Sequence, residues 1–539
     1  MPAYHWRVLS RAAIDAIDAE AETMVARSGQ PGLALALTDR DGVLLARTYG
    51  AADVASGAPL SPETLFEIGS IGKSFTAVLV LQLLEAGRID LAAPVDRYLP
   101  WFDVPQPPGA PPIAIEHLLT HTGGIVAGVD ATPEAAFQVW ALRDTPARSL
   151  PGARFHYSNV GYKALGLVLE AIEGRRYPEL LRERILEPLG MTASEPAITN
   201  DVRARLAIGY EYLREDRLGY PGAPLAPATW LETDTADGSI ASTAEDMCAF
   251  ARMLLRNGDG PGGRLLSEAA FARMSASHVV TGDGSAYGYG LGIRALEGRR
   301  LIGHGGGMVG YLSGLQADTA AGIAAVVLQN GPAAAPLTLA RTAIDIALER
   351  PRPPATANVA GIPLGRYEAT DGTDASIELL EGHDGVLLRA DRRTLALDQW
   401  DDGLFAVADP EWDRFPLEIA GTTTAPEIWH GDRLFLPPGT DRPDEPEPPP
   451  ALHPIVGHYR AHNPWAPQFR VVLRGRRPWL MFATAPDGFD TSQPLNATAD
   501  GDFQCGDDPD TPERLGFDTV VDGHALRARL SGWPYYRVR

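Results

Sequence analysis

Apolar and polar positions follow helical spacing over residues 10–28, which predicts an amphipathic helix ended by Gln30, Pro31 and Gly32. Two β-prone runs come next, Leu33–Thr38 and Val43–Tyr49, on either side of Asp39-Arg40-Asp41-Gly42. An Asp-Gly turn between such runs predicts a hairpin. The segment SFTAVLVLQLLEA at 74–86 is apolar on nearly every side, as in a helix enclosed by protein, and Gly87 is placed to end it. Helical spacing returns at about 160–173 and 243–256. Strand patterns follow at 287–302 and 311–330, where GIAAVVLQN has the character of a buried strand. A hairpin first, helices in the middle and strands last predict an antiparallel sheet assembled from both ends of one large domain.

The pattern changes after residue 348, where ERPRPPATANVAGIP forms a proline-rich hinge; PPGTDRPDEPEPPPALHP (437–454) forms a second, stiff and acidic. A similar phrase follows each hinge: GRYEA at 365–369 and GHYRA at 457–461. Short alternating strands such as GVLLRA (385–390) and FRVVLRG (469–475) continue both segments, without a helical run. Two related small β modules are expected, of the up-and-down barrel type. The expected division is therefore 1–350, 351–440 and 441–539.

With 539 residues, 45% hydrophobic and 22% charged, the chain has ample material for packed cores, which excludes wholesale disorder. The formal net charge of −22 sets it against phosphate backbones and anionic lipid, so neither nucleic acid nor a membrane surface is an expected partner. Two cysteines, Cys248 and Cys505, make neither a disulfide framework nor a four-ligand zinc site, and both are expected as buried thiols. The N-terminal stretch has no apolar core of the signal-peptide type, and no window approaches about eighteen uninterrupted apolar residues. A soluble cytoplasmic protein is the expectation.

Lysine occurs at only two positions, Lys73 and Lys163; arginine supplies all other side-chain cations except histidine. Arginine keeps its proton in a protein, whereas a desolvated lysine loses it, so a retained lysine is a candidate base. Lys73 stands in Phe66-Glu67-Ile68-Gly69-Ser70-Ile71-Gly72-Lys73-Ser74, immediately before the apolar helix. If Ser70 opens that helix, Lys73 is three residues on, with its amine in reach of the hydroxyl. The helix N-terminus and the apolar run beyond it favour the neutral amine, and a serine needs such a neighbour to become a nucleophile. Lys163, further along a helical pattern, is expected as a surface side chain.

A second cluster is Arg154-Phe155-His156-Tyr157-Ser158-Asn159. In extended chain Tyr157 and Asn159 project the same way, so a phenol passes a proton while an amide orients lysine and substrate carbonyl. The same stretch reads equally as a turn in which Ser158 or Asn159 caps the next helix. A third cluster, Gly303-His304-Gly305-Gly306-Gly307, lets a substrate backbone approach a strand edge and offers N–H donors to an oxyanion; the alternative is a tight bend between strands.

In that order the three clusters resemble the serine β-lactamase and penicillin-binding-protein hydrolases. The surroundings resemble the class C branch (peptidase family S12 type), through Glu116-His117-Leu118-Leu119-Thr120-His121-Thr122-Gly123-Gly124 and Gly238-Ser239-Ile240-Ala241-Ser242-Thr243. The resemblance covers about residues 10–345, and the two C-terminal barrels are similar to those of the D-aminopeptidase branch. It implies an α/β (α+β) catalytic domain, with an antiparallel sheet and a helical subdomain, followed by two lipocalin-like antiparallel barrels. It further implies Ser70 as nucleophile, Lys73 as general base, Tyr157 as proton relay and Asn159 as orienting amide. His304 takes the basic position of the third motif, Gly305 and Gly306 line the substrate, and the backbone N–H groups of Ser70 and Gly307 form the oxyanion hole. No cofactor and no metal are implied.

One departure narrows the expectation. Penicillin-recognising members place lysine, then Thr or Ser, then Gly at the third motif, whereas this chain has His304 followed by Gly305. A mostly neutral imidazole without an adjacent hydroxyl holds a carboxylate poorly. Hydrolysis of a small amide or short peptide with a D-residue is the first expectation. Carboxylesterase or penicillin-binding-type thioesterase or cyclase activity is the second. A binding protein that keeps the fold without turnover is the alternative from another class. His117 and His121 are expected in structural roles, Met247, Phe250, Met253 and Phe271 in the core, and Trp465 and Trp533 buried rather than facing a ligand.

Overall fold

Ser10 accepts a hydrogen bond from Ala13 N at 3.1 Å and starts the helix Arg11–Ser28, which Gly29 ends with φ 70°. The computed structural model describes residues 8–128, 134–333, 335–351, 361–383, 385–401, 403–422, 424–440 and 447–538. The described residues fall into two units. One is drawn from Met1–Glu211, Ala226–Pro351 and Asp510–Pro512, the other from Tyr212–Leu225, Arg352–Pro509 and Glu513–Arg539. Among the described residues no helix is long and apolar enough to cross a membrane.

The first unit is built on a nine-stranded antiparallel sheet in which the hairpin Gly32–Asp39 and Val43–Asp53 lies beside Ile323–Gln329, Tyr311–Asp318 and Arg299–Met308. The early strand and the late one pair in antiparallel register, Leu35 opposite Val327, so the two ends of the domain meet in mid-sheet as the patterning anticipates. Every residue of Ile323–Gln329 is buried, which is why that strand reads as a continuous apolar run rather than an alternation. The helices Arg11–Ser28 and Pro336–Ala347 cover one face, packing Ile17, Ala21, Leu339, Ala343 and Ile344 onto Leu33, Leu35, Leu37 and Val327. The helices Ala244–Leu255 and Gly72–Glu85 are joined by stacked rings, Phe75 on Phe250 at 3.8 Å. Met247, Phe250, Met253 and Phe271 are core residues, and Cys248 and Cys505 are buried thiols.

The third glycine cluster lies inside a strand, not at a bend. Gly303–Gly307 belongs to Arg299–Met308, paired along its length with Tyr311–Asp318. A Cβ on Gly306 would sit 2.0 Å from Ile68 O, so the missing side chain admits a neighbouring segment rather than a turn.

The second unit holds two closed eight-stranded antiparallel barrels, with strands running from Gly365–Ala369 to Arg433–Leu436 and from Gly457–Arg460 to Trp533–Arg537. The repeated phrase has a physical basis. Tyr367 and Tyr459 are buried on the opening strands, and each hydroxyl donates to a carbonyl four residues back, Pro363 O at 2.6 Å and Ile455 O at 2.9 Å. Both interiors are filled by side chains, among them Leu379, Phe405 and Phe435 in the first and Phe469, Leu515 and Tyr535 in the second. Trp533 packs half-buried against the second core, and Trp465 is likewise half-buried. Most of the proline-rich hinge (352–360) and the acidic middle of the second (441–446) lie outside the described residues.

Arg474 joins the barrels to each other. Its guanidinium donates to Glu418 at 2.9 Å and to Gly431 O at 2.8 Å, and lies 4.4 Å from the Trp479 ring and 5.0 Å from that of Trp429. Replacing it by alanine strands a half-desolvated carboxylate and opens a gap between two indoles. Arg474→Ala is therefore expected to lower the stability of the barrel unit by about 2–3 kcal/mol, read as a lower urea midpoint, with Arg474→Lys recovering only part.

Candidate active site

The residues Phe66 and Glu67 pair with Ser242 and Ala241, and the chain then turns through Gly69–Ile71 into the helix Gly72–Glu85. Gly69 has φ 53°, and a Cβ there would lie 2.7 Å from both the N and the O of Gly307. Glycine alone permits this approach, which presses the turn carrying Ser70 against the glycine-rich strand. Ser313 Oγ, on the next strand, donates to Ile68 O at 2.7 Å and fixes the same contact.

Lys73 is fully buried at the start of the helix. Its Nζ lies 2.9 Å from Ser70 Oγ and donates to Asn159 Oδ1 at 2.7 Å and to Asp237 O at 2.9 Å. The Tyr157 ring centroid is 4.9 Å from the same nitrogen. An amide oxygen and a carbonyl accept only, so each takes a hydrogen from this amine. Ser158 is the cap of Asn159–Glu173, accepting from Gly161 N at 3.1 Å, while the Asn159 side chain turns to the lysine.

His121, expected in a structural role, has that role at the site itself. It has φ 56°, and its Nδ1 accepts from Ser158 N at 2.9 Å while its carbonyl accepts from His156 N at 2.7 Å. Its ring lies 4.3 Å from that of Tyr157, so it clamps the loop that presents Tyr157 and Asn159. Burial first, then the charge of Lys73, holds this imidazole well below its usual range. The signal was its place in His121-Thr122-Gly123-Gly124. His117, by contrast, caps its own short helix by accepting from Ala114 N at 3.0 Å.

His304 is placed on the strand beside the site, and both its ring nitrogens are engaged. Nδ1 is 2.5 Å from Gly305 O, an acceptor, so Nδ1 carries the hydrogen; Nε2 then accepts from the Tyr287 hydroxyl at 2.9 Å. Burial, reinforced by Lys73, pushes its pKa down to about 4. The third motif therefore presents a neutral, already satisfied imidazole, with Gly305, Gly306 and Gly307 following it along the strand. Glu67, three residues before Ser70, is also neutral at pH 7, because burial pushes its carboxyl up to about 8.

Lys163 is not on the surface. It faces the interior from the helix Asn159–Glu173, with its Nζ 3.0 Å from Gln138 Oε1 and 3.6 Å from Asp237 Oδ2. The expectation failed because its partner lies in a distant loop, at Asp237, beside Gly238 of a segment already singled out. Among the described residues no group of three or more His, Cys, Asp and Glu is arranged to hold a metal.

The family model described as Beta-lactamase matches residues 17–349. Penicillin-binding protein 4 of Amycolatopsis lactamdurans is 31% identical over 322 residues, covering 56% of this chain and 81% of that protein. The structure is similar to the octameric penicillin-binding protein homologue from Pyrococcus abyssi, with TM-score 0.60 and 26% identity over 78% of this chain and 99% of that one. It is also similar to a D-stereospecific amidohydrolase from Streptomyces sp., with TM-score 0.51 and 25% identity over 62% of this chain and 98% of that one.

The glycine contacts make a direct test. A methyl at position 306 must displace Ile68 O or Ser313 Oγ, and with them the turn bearing Ser70. Gly306→Ala is expected to slow modification of Ser70 by an activated ester by about 100-fold or more, with the unfolding midpoint of the barrel unit unchanged.

Proposed function

The chain belongs to the beta-lactamase family of serine hydrolases, and from that premise we propose that it cleaves an amide bond through an acyl-enzyme on Ser70. The observation that carries this reading is the 2.9 Å approach of Lys73 Nζ to Ser70 Oγ, beside the bonds that the amine makes to Asn159 Oδ1 and Asp237 O. Lys73 takes the hydroxyl proton as Ser70 Oγ bonds to the substrate carbonyl carbon. The oxyanion accepts from the N–H groups of Ser70 and Gly307, a pairing that the close approach of Gly69 to Gly307 supports. As the C–N bond breaks, Tyr157 gives its proton to the leaving amine and takes the serine proton over from Lys73, which is left neutral. Water then adds to the ester carbonyl as its proton passes through Tyr157 to Lys73; the bond to Oγ breaks, Oγ recovers that proton, and the acid leaves. Asn159 and the carbonyl of Asp237 keep the base oriented, and the substrate lies along the strand through Gly305 and Gly306.

For the substrate we propose a small amide or short peptide bearing a D-residue, without a free carboxylate next to the scissile bond. The likeness to a D-stereospecific amidohydrolase supports the class. Neutral His304, with both nitrogens engaged, supports the exclusion of an anionic group. The acidic surface works in the same direction.

Intact-mass spectrometry after treatment with a fluorophosphonate is the test of the acyl-enzyme. Wild type is expected to gain one adduct, Ser70→Ala none, and Lys73→Arg to react at least about 1,000-fold more slowly. An adduct that survives Ser70→Ala refutes the assignment.

Substrate class is checked on paired D-aminoacyl compounds that end in a carboxamide or a carboxylate. The carboxamide is expected to be turned over about 100-fold better at pH 7, and His304→Lys to narrow that ratio, because a cation then faces the carboxylate. Equal rates on acyl esters and amides would move the assignment to a carboxylesterase.

A further inference from the structure

The mechanism uses one of the chain's two lysines; the other is buried beside it. Lys163 and Asp237 both lie largely out of solvent, their charged atoms 3.6 Å apart. Asp237 is shared by the two lysines, since its carboxylate faces Lys163 and its backbone carbonyl accepts from Lys73 Nζ at 2.9 Å. The carboxylate is held from the other side as well, by Thr235 Oγ1 at 2.6 Å on Oδ1. The carbonyl one residue earlier, Ala236 O, accepts from Thr76 Oγ1 at 2.6 Å, one helical turn after Lys73. Gln138 Oε1, at 3.0 Å, completes the seat of Lys163.

We propose that Lys163 is a positioning residue for the reaction: it anchors Asp237 so that its carbonyl stays on Lys73, and it cancels the Asp237 charge that would otherwise hold Lys73 as the ammonium. This rests on the reading of Lys73 as general base. A base must reach its neutral form, and an uncompensated carboxylate next to it opposes that. A second cation seated on the far side of the carboxylate restores the balance without touching substrate.

The other titratable groups around Lys73 do not supply this balance. His121 from its loop and His304 from its strand are neutral by burial. Glu67 stays protonated, and burial holds the phenols Tyr162, Tyr177 and Tyr287 above their ordinary range. Tyr157 presents its ring face to the amine, and His156 interacts electrostatically with His121.

The experiment follows fluorophosphonate labelling of Ser70 by intact mass between pH 5 and 10 in the full-length protein, for wild type, Lys163→Met, Asp237→Asn, the double variant and Lys163→Arg, each checked by thermal unfolding. Loss of Lys163 alone leaves an unbalanced anion, so the acid limb of the rate is expected to move up by about one pH unit. Loss of the Asp237 carboxylate alone leaves an unbalanced cation, and the limb is expected to move down by about as much. The double variant and Lys163→Arg are expected to return it to the wild-type position.

Shifts of the same sign, or slower labelling with an unmoved limb, overturn the proposal, the latter being what a purely structural pair produces. If a single variant does not fold, the double variant decides, since a limb displaced by more than about half a unit contradicts compensation. Failure of the underlying reading looks different: wild type then shows no Ser70 adduct, or labels at a rate independent of pH, and the role of the pair falls with it.

Discussion

The architecture of the first unit turns on one buried amine. A lysine nitrogen without solvent is tolerated only if its hydrogens are matched and its charge is balanced or absent. Lys73 meets the first condition through Asn159 and Asp237, 86 and 164 residues further along the chain. That helix is consequently apolar on all faces, because protein must surround it to exclude water from the amine. The stacked Phe75 and Phe250, the cap at Ser158 and the Thr76 bond to Ala236 O all serve the same enclosure.

The amine's environment is also what separates the chemistry from a chance serine–lysine spacing. Three residues along a helix bring the two side chains near each other in any protein, and most such pairs are solvated. Here the close approach of Gly69 to Gly307 brings the turn that carries Ser70 against a strand edge, and the contact excludes a side chain at Gly69. On the proposed mechanism the turn that bears the nucleophile is thus held in place by backbone packing.

Most of the fold was legible because its signals are local. The hairpin carries an Asp-Gly turn, the enclosed helix is apolar all round, and the barrels announce themselves in a five-residue phrase whose tyrosine bonds four residues back in each copy. Ser70, Lys73 and Asn159 were legible as a motif, and the structure brings them together. The residues that were missed depend on partners far along the chain. Lys163 sits at a helical position that in isolation reads as solvent-facing, and only Asp237, 74 residues on, gives it a reason to be buried. His121 carries its role through a backbone N–H of Ser158, which no residue pattern encodes. The glycines of the third cluster were open to two readings, since a bend and a close strand approach call for the same residue; the neighbour at Ile68 decides between them.

The exchange of a cation for histidine at the third motif alters more than one contact. A lysine at that position would stand as a second positive charge facing Lys73, favouring its neutral form and gripping an anionic substrate together. With His304 neutral, neither effect is present, and the base has to be balanced from behind. The Lys163–Asp237 pair occupies that side, on a carbonyl that Lys73 already uses. On the proposed reading, substrate recognition then has no anionic anchor and falls to neutral contacts along the strand edge. Such contacts select by shape and apolar area rather than by charge, which is why the proposal favours a neutral amide over a carboxylate-terminated peptide.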